Sequence, residues 1–253
     1  MAMTSETETE WTDFGFETVP VSEKQSRVAD VFSSVAPSYD IMNDLMSGGI
    51  HRLWKDALMD WMAPSAGQKL VDLAGGTGDI ALRFLKRGGS AVHIVDINAD
   101  MIRAGQKRRD LNQYADKLDW TVASAEEIPL QTASADRVTI SFGLRNVTNR
   151  DKALSEALRI LKPGGRFCCL EFSAVQNEAL AKLYDFWSFK ALPQIGRIVA
   201  RDEAAYRYLA ESIRQFPAQQ ELAQMMSDTG FAQVRYRNLS GGIASIHSGW
   251  KLD

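Results

Sequence analysis

The stretch Leu70-Val71-Asp72-Leu73-Ala74-Gly75-Gly76-Thr77-Gly78-Asp79 decides how this chain is expected to fold. Residues 70–74 form a short apolar run that predicts a buried strand, and residues 77–86 are expected to form the next helix. Glycines let a backbone turn tightly and approach a ligand closely, and a plain turn rarely needs three of them within four positions. The amide groups at the helix start favour a negatively charged ligand group. The stretch therefore predicts a strand, a binding loop and a helix in succession.

Strand-like and helix-like segments alternate along the middle of the chain. Further strands are predicted at residues 91–97, 118–123, 137–141 and 166–172. The remaining predictions are helices at residues 99–111 and 151–161, and a turn at residues 162–165. This alternation predicts an α/β fold with a mostly parallel, doubly wound sheet, in which ligands bind at the carboxyl ends of the strands.

One domain is expected to span residues 1–253. Its predicted parts are a mostly mobile arm at 1–21, a helical lead at 23–62, a ligand-binding core at 68–172, a helical cap inserted after the fifth strand at 176–216, and final strands at 233–239 and 243–246 within 233–250. Within the arm, Phe14 and Phe16 are candidates for docking on the domain. The lead and the cap are expected to cover the carboxyl edge of the sheet and close the site.

The composition argues against several classes of function. The formal net charge is −3, and the basic cluster Lys107-Arg108-Arg109 lies late in a predicted helix, so nucleic acid is not an expected partner. No apolar run is long enough to cross a membrane, and the acidic N-terminus is not a signal peptide. The three histidines have no ligand spacing, so no metal is expected. The adjacent Cys168 and Cys169 should face opposite sides of a strand without forming a disulfide, which indicates a cytoplasmic protein.

The glycine loop alone leaves two classes of cofactor open. Gly76-Thr77-Gly78-Asp79-Ile80-Ala81 also satisfies the loose pattern G-x-G-x-x-A of nicotinamide-dependent oxidoreductases. Asp72 argues against this alternative, because a carboxylate there would repel a pyrophosphate but attract the ammonium of a methionine group. Asp96 lies at the end of the second strand and can accept both hydroxyls of a ribose. It could instead cap the next helix, although Asn98 is better placed as that cap.

Two further phrases favour methyl transfer from S-adenosylmethionine. Ser124-Ala125-Glu126-Glu127-Ile128-Pro129 follows the third strand, where the edge of an adenine would lie in a methyltransferase. Leu161-Lys162-Pro163-Gly164-Gly165 forms a helix–turn–strand phrase that is common in class I methyltransferases. These phrases, together with Asp72, make S-adenosylmethionine the expected cofactor and a nicotinamide the alternative.

The chain resembles the ubiquinone/menaquinone biosynthesis C-methyltransferases from about Phe14 to its end. One matching signature is Tyr39-Asp40-Ile41-Met42-Asn43-Asp44-Leu45-Met46-Ser47-Gly48-Gly49-Ile50-His51-Arg52-Leu53-Trp54 in the helical lead. A second signature is Ser141-Phe142-Gly143-Leu144-Arg145-Asn146-Val147 after the fourth strand. The glycine loop matches as well, and the combination of these phrases is highly specific.

The resemblance implies a Rossmann-like class I methyltransferase that methylates a ring carbon of a polyprenylated hydroquinone. The acceptor it implies is demethylmenaquinol, 2-polyprenyl-6-methoxy-1,4-benzoquinol or both, and the choice between these branches stays open. The family's cofactor contacts fall on Thr77, Asp96, Ser124, Ala125 and Ser141. Ser124 departs from the general class I pattern, in which an aspartate often holds the adenine amine, and its hydroxyl makes a weaker hydrogen bond than a carboxylate.

The candidates for acceptor chemistry are Arg145, Asn146, His51 and Tyr39. A ring carbon reacts best when a phenol oxygen loses or shares its proton, which His51 can accept near neutral pH and Arg145 can promote by stabilising a phenolate. Structural alternatives stay open for each. His51 could be a packed residue, Tyr39 could anchor the lead, and Arg145 could pair with Asp40 or Asp44.

A polyprenylated acceptor implies contact with a membrane surface, so the expected location includes the inner face of the cytoplasmic membrane. Residues 180–192 contain Trp187 and Phe189 close to Lys182 and Lys190, as in an interfacial helix. Packing against the sheet would explain the same pattern. Other quinone-biosynthesis enzymes and a second copy of the chain are further candidate partners.

Overall fold

The computed structural model describes residues 11–35, 44, 47–191, 194 and 203–253. Its first elements are the antiparallel strands β1 Trp11–Phe14 and β2 Glu17–Pro20, followed by the helix α1 Val21–Val35. The expectation of a mobile arm over residues 1–21 is therefore wrong for the part that forms this hairpin. Phe14 stacks on Tyr208 with 4.3 Å between the ring centroids, so the hairpin is anchored by a residue far away in the sequence.

The remaining elements surround a seven-stranded sheet. In chain order they are α2 His51–Met62, β3 Lys69–Leu73, α3 Asp79–Lys86, β4 Ala91–Asp96, α4 Ala99–Gln106, β5 Leu118–Val122, β6 Ala135–Ser141, α5 Arg150–Ile160, β7 Leu161–Phe172, α6 Glu178–Phe186, α7 Glu203–Gln215, α8 Gln219–Thr229, β8 Ala232–Leu239 and β9 Ala244–Trp250. The strand order is β5-β4-β3-β6-β7-β9-β8. Strands β3 to β7 pair in parallel, whereas β9 is antiparallel to both of its neighbours. The predicted doubly wound, mostly parallel sheet is confirmed.

The sheet separates two apolar layers, one on each of its faces. Phe84 of α3 packs into one layer with α2, and Leu154 of α5 packs into the other. Cys168 and Cys169 are neighbours on β7, and one of them enters each layer. Both thiols are free, as the alternation of side chains along a strand predicts.

Three predictions of local structure need correction. Helix α4 ends at Gln106 rather than near residue 111. The chain turns after it, and the Arg108 guanidinium donates a hydrogen bond of 3.3 Å to the Thr77 carbonyl. The predicted turn at 162–165 lies inside β7 as a bulge between the pairs Ala135–Leu161 and Arg137–Arg166. Helix α8 was not predicted, since its start has no side-chain cap to mark it.

The segment predicted as a helical cap is helical where the structure describes it. Helix α6 begins after Asn177, whose side chain accepts a hydrogen bond from the Leu180 amide. It continues into a π-helical turn at Trp187–Ala191, and α7 follows after the residues that the structure does not describe. Among the described residues, no helix is long and apolar enough to span a bilayer.

We expect the folded chain to lose stability between pH 6.5 and pH 4 because of His247 on β9. Burial lowers the pKa of His247 to about 4, and its Nε2 atom lies 2.8 Å from the Gln219 carbonyl oxygen. The unfolded chain takes up this proton near pH 6.5 and the folded chain only near pH 4, so acid favours unfolding. This residue alone should lower the free energy of unfolding by roughly 2–3 kcal/mol between pH 7 and pH 4.5.

Urea unfolding at a series of pH values measures this effect. His247→Gln should flatten the pH dependence below 6.5, whereas His93→Gln, at a half-buried histidine on β4, should retain most of it. The same pH dependence in His247→Gln and the unsubstituted protein would contradict the assignment.

Candidate active site

The loop after β3 lies very close to its own strand and to β4. A Cβ atom on Gly75 would lie 2.8 Å from both the Asp72 Oδ2 atom and the Ile94 Cγ2 atom. Gly78, where α3 begins, has a φ of +80°, which favours glycine. Both positions therefore require glycine, and the loop lies at the carboxyl edge of the sheet as predicted.

The Asp72 carboxylate is fully buried, and one of its two oxygens accepts no hydrogen bond from the described residues. Its Oδ1 atom accepts a hydrogen bond of 2.7 Å from the Thr139 hydroxyl, whereas its Oδ2 atom has no hydrogen-bond partner among the described residues. Burial raises the pKa of Asp72 to about 7. Ser141, also with an unpartnered hydroxyl, lines the same cavity of about 390 Å³. This cavity, the smaller of two at the site, fits a cationic group such as the ammonium of a methionine moiety.

Asp96 connects the glycine loop to the start of α4. Its Oδ2 atom accepts a hydrogen bond from the Gly76 amide and its Oδ1 atom from the Asn98 amide, each at 2.8 Å. Burial raises the pKa of Asp96 to about 6. The Asn98 side chain caps α4 by accepting from the amides of Asp100 and Met101, so its predicted capping role is confirmed.

A larger cavity of about 760 Å³ adjoins the first and contains the predicted adenosine-binding residues. Asp96, Ser124 and Ala125 lie on its wall, and Gly76 and Phe142 line both cavities. The Ser124 hydroxyl already accepts a hydrogen bond of 3.1 Å from the Glu126 amide. A buried carboxylate beside a mostly apolar cleft suits a nucleoside.

Helix α1 closes one side of this larger cavity. Val28, Ala29 and Phe32 contribute its apolar wall. The side-chain Nδ2 atom of Asn98 donates hydrogen bonds to the Ala29 carbonyl at 3.2 Å and to the Ser33 hydroxyl at 3.1 Å. The expectation that the helical lead covers the site therefore holds for α1.

Arg145 is completely buried behind the cavity wall. Its Nη1 atom donates to Glu171 Oε1 and to the Phe142 carbonyl, each at 2.6 Å, and its Nε and Nη2 atoms have no hydrogen-bond partner among the described residues. The expected alternative of an Arg145–Asp44 pair is wrong, because Asp44 instead binds His51 and Arg52. Asp40, the other expected partner, lies outside the described residues.

Asn146 lines the larger cavity and is the polar member of the second signature to do so, beside Phe142, Gly143 and Val147. Its Oδ1 atom accepts a hydrogen bond of 3.1 Å from the Tyr208 hydroxyl. The amide nitrogen of Asn146 is the end of this group that can donate a hydrogen bond to a ligand oxygen.

His51 lies at the start of α2 and does not line either of the two cavities. Its Nε2 atom is 2.9 Å from Asp44 Oδ1, and its Nδ1 atom is buried without a hydrogen-bond partner among the described residues. Burial and the nearby Lys55 lower the pKa of His51, against the opposite effect of Asp44. Tyr39 lies outside the described residues, so its role stays a prediction.

Sequence analysis missed Lys55, which directly follows the first signature. Lys55 lines the smaller cavity together with Asp72 and Ser141. Lys55 follows His51 by four residues, so both lie on one face of the helix. This spacing is the sequence pattern that could have identified Lys55. The apolar wall from α1 was anticipated only as part of a covering lead, without its residues.

Solved structures share this fold over most of the chain. The [4+2]-cyclase SpnF aligns with a TM-score of 0.65 and 14% identity, covering 90% of this chain and 96% of its own. A protein from Thermotoga maritima, titled a SAM-dependent methyltransferase and possible histamine N-methyltransferase, has a TM-score of 0.61 and 20% identity, covering 88% and 99%. These similarities show the fold alone. The fold is the Rossmann-like fold of the class I S-adenosylmethionine-dependent methyltransferases.

The chain belongs to the ubiE/COQ5 methyltransferase family, whose family model matches residues 20–251. A similar relative is the ubiquinone/menaquinone biosynthesis C-methyltransferase UbiE of Roseobacter denitrificans. It is 54% identical over 242 residues, which cover 95% of this chain and 97% of the relative. The nicotinamide alternative is thereby excluded, and S-adenosylmethionine is the cofactor.

We expect the affinity for S-adenosylhomocysteine to decrease as the pH falls through 7. We expect the ammonium of this product to pair with ionised Asp72, whose pKa burial raises to about 7, so that the free protein takes up a proton there as the pH falls through that value. That proton must leave before the ion pair forms, so the dissociation constant should rise about tenfold per pH unit well below 7. Titration calorimetry between pH 5.5 and pH 8.5 measures this change.

Asp72→Asn is the decisive variant, with weak binding and a nearly flat pH profile as the expected result. Asp96, Asp79 and Lys55 also act electrostatically on Asp72. Asp96→Asn should also bind less tightly, but because the Asp96 carboxylate raises the pKa of Asp72, its affinity should begin to fall only at a lower pH. A pH-independent affinity in the unsubstituted protein would show that Asp72 does not pair with the ammonium.

Proposed function

We propose that this chain transfers a methyl group from S-adenosylmethionine to a ring carbon of a polyprenylated hydroquinone in respiratory quinone biosynthesis. The acceptors are demethylmenaquinol, 2-polyprenyl-6-methoxy-1,4-benzoquinol or both. The continuity of the larger cavity carries this proposal, since it runs from Asp96 at the cofactor end to Phe142 and Asn146 of the second signature. Similarity to the quinone-pathway relative supports the choice of acceptor.

The cofactor, when bound, supplies a methyl group on a sulfonium that an electron-rich ring carbon can take. We assign Asp72 and Ser141 to its methionine moiety and Asp96 to its ribose. Ser124 and Ala125 contact the adenine, while Gly76, Thr77 and Gly78 present their backbone to the ligand. Asp72 and Ser141 support this assignment because their open polar atoms face one cavity.

The acceptor ring is held by Asn146, whose amide nitrogen donates to one of its oxygens. Tyr208 fixes the orientation of this amide through its hydrogen bond to the other end of the group. A donor at that point stabilises the developing phenolate, which makes the neighbouring ring carbon a better nucleophile.

Arg145 acts behind this wall as a positioning residue. Its guanidinium lies 5.6 Å from the Phe172 ring centroid, and the Phe172 and Phe142 rings are 5.0 Å apart. Its bond to the Phe142 carbonyl also fixes the backbone that leads to Asn146. His51 and Tyr39 remain candidates for proton acceptance, on the strength of the signature that contains both.

Asn146→Ala tests the acceptor assignment. We expect the rate constant for methylation to fall about a hundredfold, because one donor to the developing oxyanion is lost. The readout is mass-spectrometric detection of the methylated quinol with each of the two acceptors. Asn149→Ala is a matched control, since Asn149 caps α5 and does not line either cavity.

Binding of S-adenosylhomocysteine should be unchanged in Asn146→Ala but weakened in Asp96→Ala. Absence of any methylated quinol from the unsubstituted protein, despite tight binding of S-adenosylhomocysteine, would rule out both quinols as acceptors. A normal rate in Asn146→Ala would remove Asn146 from the acceptor site.

We further propose that a membrane surface contacts α6, because the tail of such an acceptor resides in the bilayer. Leu183 and Phe186 are 64% and 65% exposed on this helix, with exposed Lys182 beside them. Phe16, at the hairpin tip, stacks on Phe189 with 6.1 Å between the ring centroids. Exposed apolar side chains next to a basic one suit an interfacial surface.

Leu183 and Phe186 are the residues to replace in a test of this contact, because their side chains are exposed. Trp187 packs against the core, so replacing it would disturb the fold. We expect Leu183→Asp combined with Phe186→Asp to lower turnover of long-tailed quinols at least tenfold while tail-less analogues react normally. Vesicle co-sedimentation should decrease in parallel. Trp11→Asp, at another exposed aromatic residue, is the control, and equal losses for both kinds of acceptor would refute the proposed surface.

A further inference from the structure

Lys55 is a buried cation to which neither the signatures nor the proposed reaction gives a role. It lies on α2, its exposed fraction is only 4%, and it lines the smaller cavity. Its Nζ atom is 2.8 Å from Asp79 Oδ2 at the start of α3. Burying an ammonium is costly unless it is paired, so this position calls for an explanation.

Tethering α2 to α3 does not by itself explain Lys55. The two helices are already joined by the Arg83–Asp56 pair and by the Arg87–Asp60 pair, both nearer the surface. Asp79 also has a second cation, since Arg83 Nε lies 3.4 Å from the same Oδ2 atom. The carboxylate of Asp79 therefore keeps a partner when Lys55 is removed.

The surroundings of Lys55 in the smaller cavity point to a ligand. One hydrogen of an ammonium is used by Asp79, which leaves two further donors for other groups. The same cavity is lined by Asp72 and Ser141, whose Oδ2 atom and hydroxyl have no hydrogen-bond partner among the described residues. A fixed cation and a buried anionic site in one small space match a ligand that carries both charges.

We propose that Lys55 binds the α-carboxylate of the methionine moiety while Asp72 binds its ammonium, so that the smaller cavity recognises a zwitterionic α-amino acid. This inference rests on the S-adenosylmethionine-dependent function proposed above. It follows that the site discriminates between nucleosides by their carboxylate as well as by their adenosine.

Three ligands that differ in this one region test the inference by titration calorimetry on the full chain, without any acceptor. S-adenosylhomocysteine carries both charges, S-adenosyl-3-thiopropylamine lacks the carboxylate, and 5′-methylthioadenosine lacks both charged groups. In Lys55→Met we expect binding of S-adenosylhomocysteine to weaken about 10- to 100-fold, the loss typical of a charge-assisted hydrogen bond. The other two ligands should change less than about threefold, which also demonstrates that the adenosine site is folded.

Arg83→Met is the matched control, because it removes the other cation beside Asp79 but does not line either cavity. It should bind all three ligands as the unsubstituted protein does. Equal weakening of all three ligands in Lys55→Met would overturn the inference, because Lys55 would then be structural. Undiminished binding of S-adenosylhomocysteine would overturn it too while leaving the methyltransferase function intact. Failure of the unsubstituted protein to bind S-adenosylhomocysteine would overturn both.

Discussion

The parallel register of β3 with its two neighbours is the constraint on which the site depends. Leu73 pairs with Val95 on one side and with Ile140 on the other, so the next residue on each neighbour, Asp96 or Ser141, emerges at the same edge. The register also sets Asp72 beside Thr139, whose hydroxyl donates the only hydrogen bond that the Asp72 carboxylate accepts among the described residues. A slip of β3 by one residue would turn the Asp72 side chain to the opposite face of the sheet and separate it from Thr139.

Short-range patterns explain how much of this could be predicted from the sequence. Buried parallel strands are apolar runs, and an asparagine just before a helical segment is a favoured cap, so both β3 and the cap at Asn98 were found. The glycine loop could be recognised from its glycines, because a Cβ atom at Gly75 would lie too close to Asp72 and Ile94 and the sequence must therefore keep glycine there. These features depend on neighbours within a few residues, or on a strand period that the sequence carries directly.

The features that were missed depend on partners that lie far away in the chain. Glu171, the partner of Arg145, is 26 residues distant, and no local rule selects it over Asp40 or Asp44 of the first signature. The hairpin strands have four residues each and are anchored through Phe14 to α7, so their periodicity is too short to recognise. Lys55 stood next to a recognised signature, but its importance emerges only when α2 is placed beside the cavity.

The two hydrogen bonds of Asp96 have a consequence for the entropy of ligand binding. Each carboxylate oxygen already accepts a backbone amide, one from the glycine loop and one from the residue that caps α4. The side chain is therefore preorganised, since its rotamer and both adjoining loops are ordered when the chain folds. Each oxygen retains a further lone pair for a hydroxyl. A ribose that binds there restricts little additional motion of the protein, so more of its hydrogen-bond energy contributes to affinity.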